Sequence, residues 1–143
     1  MNGRVPEPEV WTARLRGLVH DCVASTSHEE ADRVREAAHL LHSGAMAGTC
    51  GQAVDPSAVE SMLACGAAES AVLEIVGHNA AFMLSRGQSD CCLATVIVGD
   101  EGQEVMSEGA TLALALLGAY AGGLLAAFER DGIVSCALSS RPH

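Results

Sequence analysis

Apolar side chains in the first third of the chain recur three or four positions apart, which places them on one face of a helix. The first stripe consists of Trp11, Leu15, Leu18 and Cys22. The second consists of Ala31, Val34, Ala38 and Leu41. They predict two amphipathic helices, the first over residues 10–23. The second is predicted to begin with Ser27 as N-cap and Glu30 in the capping-box position.

Breaks in this pattern divide the rest of the first half. Residues 1–9 are polar, contain two prolines and predict an extended lead-in, and residues 43–54 are rich in glycine and predict a loop. Asp55-Pro56 is typical of a helix start, so a third helix is expected from there to Cys65. A fourth short helix is expected over residues 67–76. The predicted helical half therefore covers residues 10–76.

The pattern changes to strands and tight turns after the fourth helix. Residues 80–86 and 91–98 predict two strands joined by a polar turn, and Thr95-Val96-Ile97-Val98 is the strongest β signal in the chain. A second turn over residues 99–102 precedes a possible third strand over residues 103–107. These segments predict a small antiparallel hairpin or meander.

The run from Ala110 to Phe128 contains no charged residue. It is long enough to span a bilayer. Its many alanines and glycines, and acidic flanks such as Glu108 and Glu129, favour instead a central helix that is buried on most sides. Gly122-Gly123 would then mark a close backbone approach or a weak point of the helix. The apolar segment 133–138 is expected to add a strand or to dock on the core.

These elements predict an α+β fold with three or four N-terminal helices, a small sheet and a long C-terminal helix. The 143 residues suit one domain. We assign it to residues 10–138, with the hairpin and the last helix over residues 80–130 and a disordered tail over residues 139–143. A small sheet leaves open edges, and open edges together with surplus apolar surface around residues 110–128 favour a homodimer.

Composition narrows the classes of partner. The net charge is −10, and all eight basic residues are arginines, scattered along the chain. Binding of nucleic acid or of an anionic membrane needs clustered basic residues, so neither is expected. The first residues contain no apolar segment typical of a secretory signal. A cytoplasmic location is expected, in which the six cysteines stay reduced.

Three groups of residues are candidates for metal or thiol chemistry: His39 with His42, His20 with Cys22, and the adjacent Cys91 and Cys92. The sequence contains neither the CxxC nor the HExxH spacing that is typical of zinc sites, so no metal is expected. Strand alternation places Cys91 and Cys92 on opposite faces of the sheet, one buried and one exposed.

An exposed thiol reacts readily when a basic group lowers its pKa. Near the cysteine pair, Arg86 would have that effect and Asp90 would oppose it. The sequence contains no GxSxG motif, and SGAMAGTCG at residues 43–51 does not match a phosphate-binding loop. The acidic pairs Glu29-Glu30 and Asp100-Glu101 suit a helix start and a solvated turn. We therefore expect no enzyme, and we assign no catalytic, cofactor-binding or metal residue.

Residues 82–117 resemble the second half of the phage ABA sandwich domain, a small uncharacterised family in which helices and a β-hairpin form layers. The resemblance rests on two strands with a polar turn and on the run from Ser107 to Ala115, where a small residue and a threonine precede an alanine- and leucine-rich helix. Leu112 stands where such helices often carry a proline. The resemblance implies a bacterial or prophage-borne protein of unknown function and carries over no functional residue.

The sequence favours a small non-enzymatic module that self-associates and binds an unknown protein partner, as an accessory protein of a prophage or mobile element. Two alternatives come from other classes. One is a sensor of a small ligand, metal or oxidant that uses Cys91, Cys92, His39 and His42. The other is a membrane-associated protein that uses helix 110–128.

Overall fold

The computed structural model describes residues 8–46, 54–78, 80–89, 91–99 and 102–131. Its architecture confirms the predicted α+β class, with a helical half, then a sheet, then one long helix. The helices are α1 (Pro8–Ala24), α2 (Glu30–Met46), α3 (Pro56–Ala64), α4 (Ala68–Val76) and α5 (Leu112–Asp131). The strands are β1 (Ala80–Arg86), β2 (Cys92–Val98) and β3 (Glu104–Gly109). The segments predicted over residues 133–138 and 139–143 lie outside the described residues.

The first helix begins earlier than the sequence pattern predicts. Pro8 and Glu9, assigned to the extended lead-in, form the first residues of α1. Proline suits this position because its missing N–H group would have no partner in the first helical turn.

The predicted cap of the second helix is wrong by one residue. A 3₁₀ turn over Ser27–Glu29 precedes α2, and the Glu29 carboxylate accepts a hydrogen bond from the Thr26 amide at 2.8 Å. Thr26 is extended and Ser27 is already helical, so the cap forms around Thr26, with the Glu29 carboxylate as the side-chain acceptor. At its other end α2 runs to Met46, which removes the first four residues from the predicted loop 43–54.

The third and fourth helices agree with the prediction. The Asp55 carboxylate accepts a hydrogen bond from the Ser57 amide at 3.0 Å, and Pro56 opens α3. Gly66 and Gly77, with φ of 74° and 55°, follow the two helices in a backbone conformation that side chains disfavour.

The three strands form an antiparallel sheet in the order β1-β2-β3, so β1 and β3 are its two edges. Phe82 pairs with Val96, and Val96 pairs with Val105 on the other side. β3 ends at Gly109, two residues beyond the prediction. Alternate residues of β2 are buried on one face of the sheet, namely Cys92, Ala94, Val96 and Val98.

That inner face packs on α5, whose other sides meet the N-terminal helices. A methyl group added to Gly118 would lie 2.9 Å from Ser107 Oγ, and one on Gly123 would lie 2.7 Å from Val98 Cγ2. Glycine therefore permits α5 to lie very close to the sheet. This confirms the predicted central helix and the close approach at Gly122-Gly123.

Contacts between the first and last helices close the core. The Trp11 indole donates a hydrogen bond to the Leu40 carbonyl at 2.9 Å and meets the Phe128 ring edge-on at 5.7 Å. On the surface, Arg16 contacts Glu129 at 2.5 Å. The α1 stripe is buried against α5, as its spacing predicts.

Candidate interaction surface

The face of the sheet that points away from α5 is exposed. The register defines three rows of side chains across it. The rows are Ala81–Ile97–Glu104, Met83–Thr95–Met106 and Ser85–Leu93–Glu108. We call this surface the outer face.

Large apolar side chains are exposed on the outer face. Met83 is 71% exposed and Met106 is 66% exposed, although both lie in the middle row of the sheet. With Leu93 and Thr95 they line a shallow depression of about 230 Å³. An apolar surface of this kind on a small domain is typical of a binding site.

The edge strand β1 is exposed on its inner side as well. Phe82 and Leu84 point to the layer of α5, yet each is 38% exposed, because α5 packs on β2 and β3 and touches β1 only slightly. Leu84 borders a narrow cleft of about 70 Å³ that Leu73 and Leu112 also line. β1 thus presents apolar side chains on both faces, and its second backbone edge pairs with no other strand among the described residues.

The opposite edge strand, β3, is covered and charged. α5 lies along it and α1 touches it, and Val105 is half-buried near Gly122. Glu104 and Glu108 project from its outer side. The charge on β1 comes from Arg86 alone, at its last position. The acidic character of the outer face is therefore concentrated along β3.

Of the two adjacent cysteines, Cys92 is buried at the start of β2, as predicted. Cys91 lies one residue before the strand that was predicted to include it, and it is half-buried rather than exposed. The Cys91 thiol donates a hydrogen bond to Glu108 Oε1 at 3.3 Å. This bond, followed by partial desolvation and by the negative charge of Glu108, raises the pKa of the Cys91 thiol. The thiolate needed for redox chemistry is thereby disfavoured at Cys91.

The other residues considered for metal or thiol chemistry do not converge. His39 and His42 are exposed on α2, and His42 Nδ1 lies 3.2 Å from the Val54 carbonyl oxygen. Burial raises the pKa of the Cys22 thiol to about 12, whereas His20 is exposed. Over the residues that the structure describes, no group of three or more potential metal ligands comes together.

A wider cleft of about 480 Å³ lies between α1 and α2. Its lining mixes both charges with apolar groups, in Arg14, Gly17, Asp21, Glu36, His39, Leu40 and Ser43. Arg33 approaches Asp21 at 3.4 Å and Glu36 at 3.5 Å, so the acids of the cleft already have a basic neighbour. The arrangement selects no particular ligand.

The sequence placed the surplus apolar surface in the wrong region. It pointed to residues 110–128, but residues 113–121 of α5 are all buried. The exposed surface lies instead on β1 and the outer face. The usable signal was Phe82-Met83-Leu84, because three consecutive large apolar residues in a strand point to both faces of a sheet.

Within the described residues, α5 is the one helix long and apolar enough to cross a membrane, with a mean hydropathy of 1.7. Two thirds of that segment, 67%, is buried within the fold. Comparisons of the chain with protein families, with curated proteins and with solved structures find no match.

Proposed function

We propose that this chain is a small, non-enzymatic, cytoplasmic protein-interaction module that forms a homodimer by pairing β1 with β1 of a second copy. One observation carries the proposal. β1 is an edge strand that is apolar and exposed on both faces, with Phe82, Met83 and Leu84 at 38%, 71% and 38% exposure. Such an edge offers both a backbone ladder and apolar side chains to another strand.

A second copy fits this edge because the strand is complementary to itself. Along a strand, the backbone N–H and C=O groups of alternate residues point to opposite edges. When two identical strands pair antiparallel through the same edge, each odd-numbered residue therefore lies opposite an odd-numbered one, and each even-numbered residue opposite an even-numbered one. A two-fold axis at Met83 meets this condition and pairs every residue of β1. It places Phe82 opposite Leu84 of the partner subunit and Ala81 opposite the partner's Ser85.

Charge does not oppose this pairing. β1 contains no acidic residue, and Arg86 would lie opposite the partner's Ala80. Pairing of β3 with itself would instead bring glutamates together, against the net charge of −10 on each copy. Each large apolar side chain that becomes fully buried contributes roughly 1.5–3 kcal/mol, and less when it is already partly covered. The pairing also supplies partners to the free backbone groups of the edge.

The register can be tested by charge substitution at exposed positions. The variant Ala81→Glu/Ser85→Glu would place glutamate opposite glutamate twice across the two-fold axis. The variant Ala81→Lys/Ser85→Glu would place lysine opposite glutamate at the same two points. We expect the first variant to be monomeric and the second to remain dimeric, in native mass spectrometry and in light scattering over a concentration series.

Comparison of these two variants distinguishes an effect of the strand register from a general effect of added charge or of β propensity on dimerisation. Circular dichroism should show that both variants keep the wild-type fold, because Ala81 and Ser85 are exposed. A wild-type protein that stays monomeric at high concentration would refute the proposal. Two variants that dissociate equally would refute the register centred on Met83.

The alternatives have less support among the described residues. A thiol sensor would need a reactive cysteine, and the hydrogen bond to Glu108 raises the pKa of the Cys91 thiol and so disfavours its thiolate. A membrane anchor would need the apolar surface of α5, which the core uses. If the resemblance of residues 82–117 to the phage ABA sandwich domain reflects kinship, the dimer would act as an accessory protein of a prophage or mobile element.

A further inference from the structure

Among the residues that the structure describes, α5 covers one face of the sheet and no element covers the other. Dimerisation through β1 would leave this outer face open, because strands that pair edge to edge lie in one continuous sheet. We propose that the outer face binds a basic amphipathic helix of a different protein. The partner's helix would complete a layer on the uncovered side, as helices cover both faces of many sheets.

The middle of the outer face provides an apolar floor for such a helix. Met83, Leu93 and Met106 surround Thr95 in a depression of about 230 Å³. Methionine side chains are flexible and polarisable, so they adapt to the irregular apolar stripe of a helix. A stripe of leucine-sized residues every three or four positions matches this floor.

The charge along one side of the floor selects a basic helix. Glu104 and Glu108 flank Met106 on the same face of β3. Four strand residues span about 13 Å, which equals the rise of about nine helical residues. A helix that lies along the strands and carries lysine or arginine about nine positions apart on one side would therefore reach both carboxylates. The net charge of −10 would also speed the approach of a basic partner.

The same charge disfavours other occupants. A second copy on this face would bring another acidic protein against Glu104 and Glu108, and an anionic membrane would be repelled. β1 supplies a separate, acid-free surface for self-association. The two surfaces share Ala81, Met83 and Ser85 but differ in the charge that borders them.

A synthetic peptide can test the proposal without knowledge of the natural partner. The probe is a 20-residue amphipathic helix with a leucine stripe and lysines on one flank. The control peptide has glutamate in place of each lysine. With ¹³C-methyl methionine labelling, the lysine peptide should shift the Met83 and Met106 methyl signals and leave Met62, which packs on the helical core, unchanged. The glutamate peptide should shift none of them.

Two charge-matched protein variants establish where the peptide binds. Glu104→Gln/Glu108→Gln should weaken binding of the lysine peptide by about tenfold, because it removes two surface ion pairs. Glu9→Gln/Glu74→Gln removes the same charge from exposed positions on α1 and α4 and should weaken it by less than about twofold.

Equal weakening by the two variants would show that the acidic protein attracts the peptide without a defined site and would refute the proposal. Unshifted Met83 and Met106 signals at saturating peptide would also refute it. Native mass spectra of the same mixtures count protein chains and peptides separately. A failure of peptide binding is thereby distinguished from a failure of dimerisation through β1.

Discussion

The two edge strands of the sheet lie on either side of β2 and face different surroundings. β3 is covered by α5, is touched by α1 and projects Glu104 and Glu108 outward. β1 has little cover from α5 and carries three consecutive large apolar residues. The row Phe82–Val96–Val105 shows the contrast within one line of side chains, because Val105 lies against Gly122 of α5 whereas Phe82 is 38% exposed on the strand that α5 touches only slightly.

The difference shows that one edge of a small sheet can be protected within the fold while the other edge stays accessible to a binding partner. Charged residues and covering helices protect a strand edge from other strands, and β3 has both. β1 lacks this protection although it belongs to the same sheet and the same fold. An edge left apolar and uncovered beside a protected one indicates a surface kept for a partner, and four predictions test this comparison.

The largest effect is expected where α5 approaches β3. Gly118→Leu should lower the free energy of unfolding by about 3 kcal/mol, because even the first added carbon would lie 2.9 Å from Ser107 Oγ and 3.2 Å from Cys22 Cβ. Urea denaturation followed by circular dichroism measures the change. Gly17→Leu on the exposed side of α1 is the control, with no atom within 4 Å of the added carbon. It should raise stability by up to about 1 kcal/mol through helix propensity.

The second prediction compares Phe82 and Val105, the two ends of the inner-face row Phe82–Val96–Val105. Val105→Asp should destabilise the fold by about 2–3 kcal/mol, because it places a carboxylate between β3 and α5. Phe82→Asp should cost less than about 1 kcal/mol in a monomer, yet weaken dimerisation by about 100-fold, because it places a carboxylate opposite the partner's Leu84 and removes apolar contact. Denaturation at a protein concentration below the dimer Kd measures the free energy of unfolding of the monomer. Native mass spectrometry measures dimerisation. Equal loss of stability in both variants would contradict the difference between the edges.

The third prediction concerns the acidic side of the sheet. Glu108→Gln should lower the pKa of the Cys91 thiol, since the carboxylate accepts the thiol hydrogen bond and repels the thiolate. Alkylation of Cys91 at pH 7.5 should then be faster, by no more than the roughly tenfold change that one pKa unit gives. Peptide mass spectrometry measures the rate at each cysteine. Cys65 is exposed at the end of α3, has no hydrogen bond to Glu108, and should react at an unchanged rate.

The smallest effect is expected far from both edges, where Arg35 joins α2 to α3. Arg35 Nε donates to Glu60 Oε1 at 2.7 Å, and this hydrogen bond lowers the pKa of Glu60 below its usual 4.5. A carboxylate with a depressed pKa stabilises the fold above its unfolded pKa, and the contribution is lost as pH falls through the folded pKa. The stability difference between wild type and Glu60→Gln should therefore shrink below about pH 4.5. Thermal melts from pH 3 to pH 6 should show it, and dimerisation should stay unchanged.

Most of the fold prediction rests on the periodicity of apolar residues along the chain. The helical stripes, the Asp55-Pro56 start and the β-branched run over Thr95–Val98 are local signals that tertiary contacts did not override. The Ser27 cap failed because three neighbouring hydroxyl residues could each begin the turn, and the sequence does not rank them. α2 ends at Met46, later than predicted, because the predicted loop was inferred from glycines, and a helix tolerates a single glycine at a cost of about 1 kcal/mol.

The candidate surface was harder to predict than the fold. Whether Phe82 and Leu84 are buried depends on where α5 lies across the sheet, and glycines at 118, 122 and 123 bring α5 close to β2 and β3. Such lateral placement results from contacts between distant elements. A strand pattern cannot report it, because the strand looks the same whether or not a helix covers it.

The packing of α1 on α5 has a consequence for biosynthesis. Trp11 meets Phe128, and Arg16 meets Glu129 across a separation of 113 residues. On the ribosome the apolar stripe of α1 therefore emerges long before the helix that covers it has been translated. Contacts so distant in sequence slow folding and leave apolar surface open meanwhile. The nascent chain is expected to depend on a chaperone that shields α1 until α5 has left the exit tunnel.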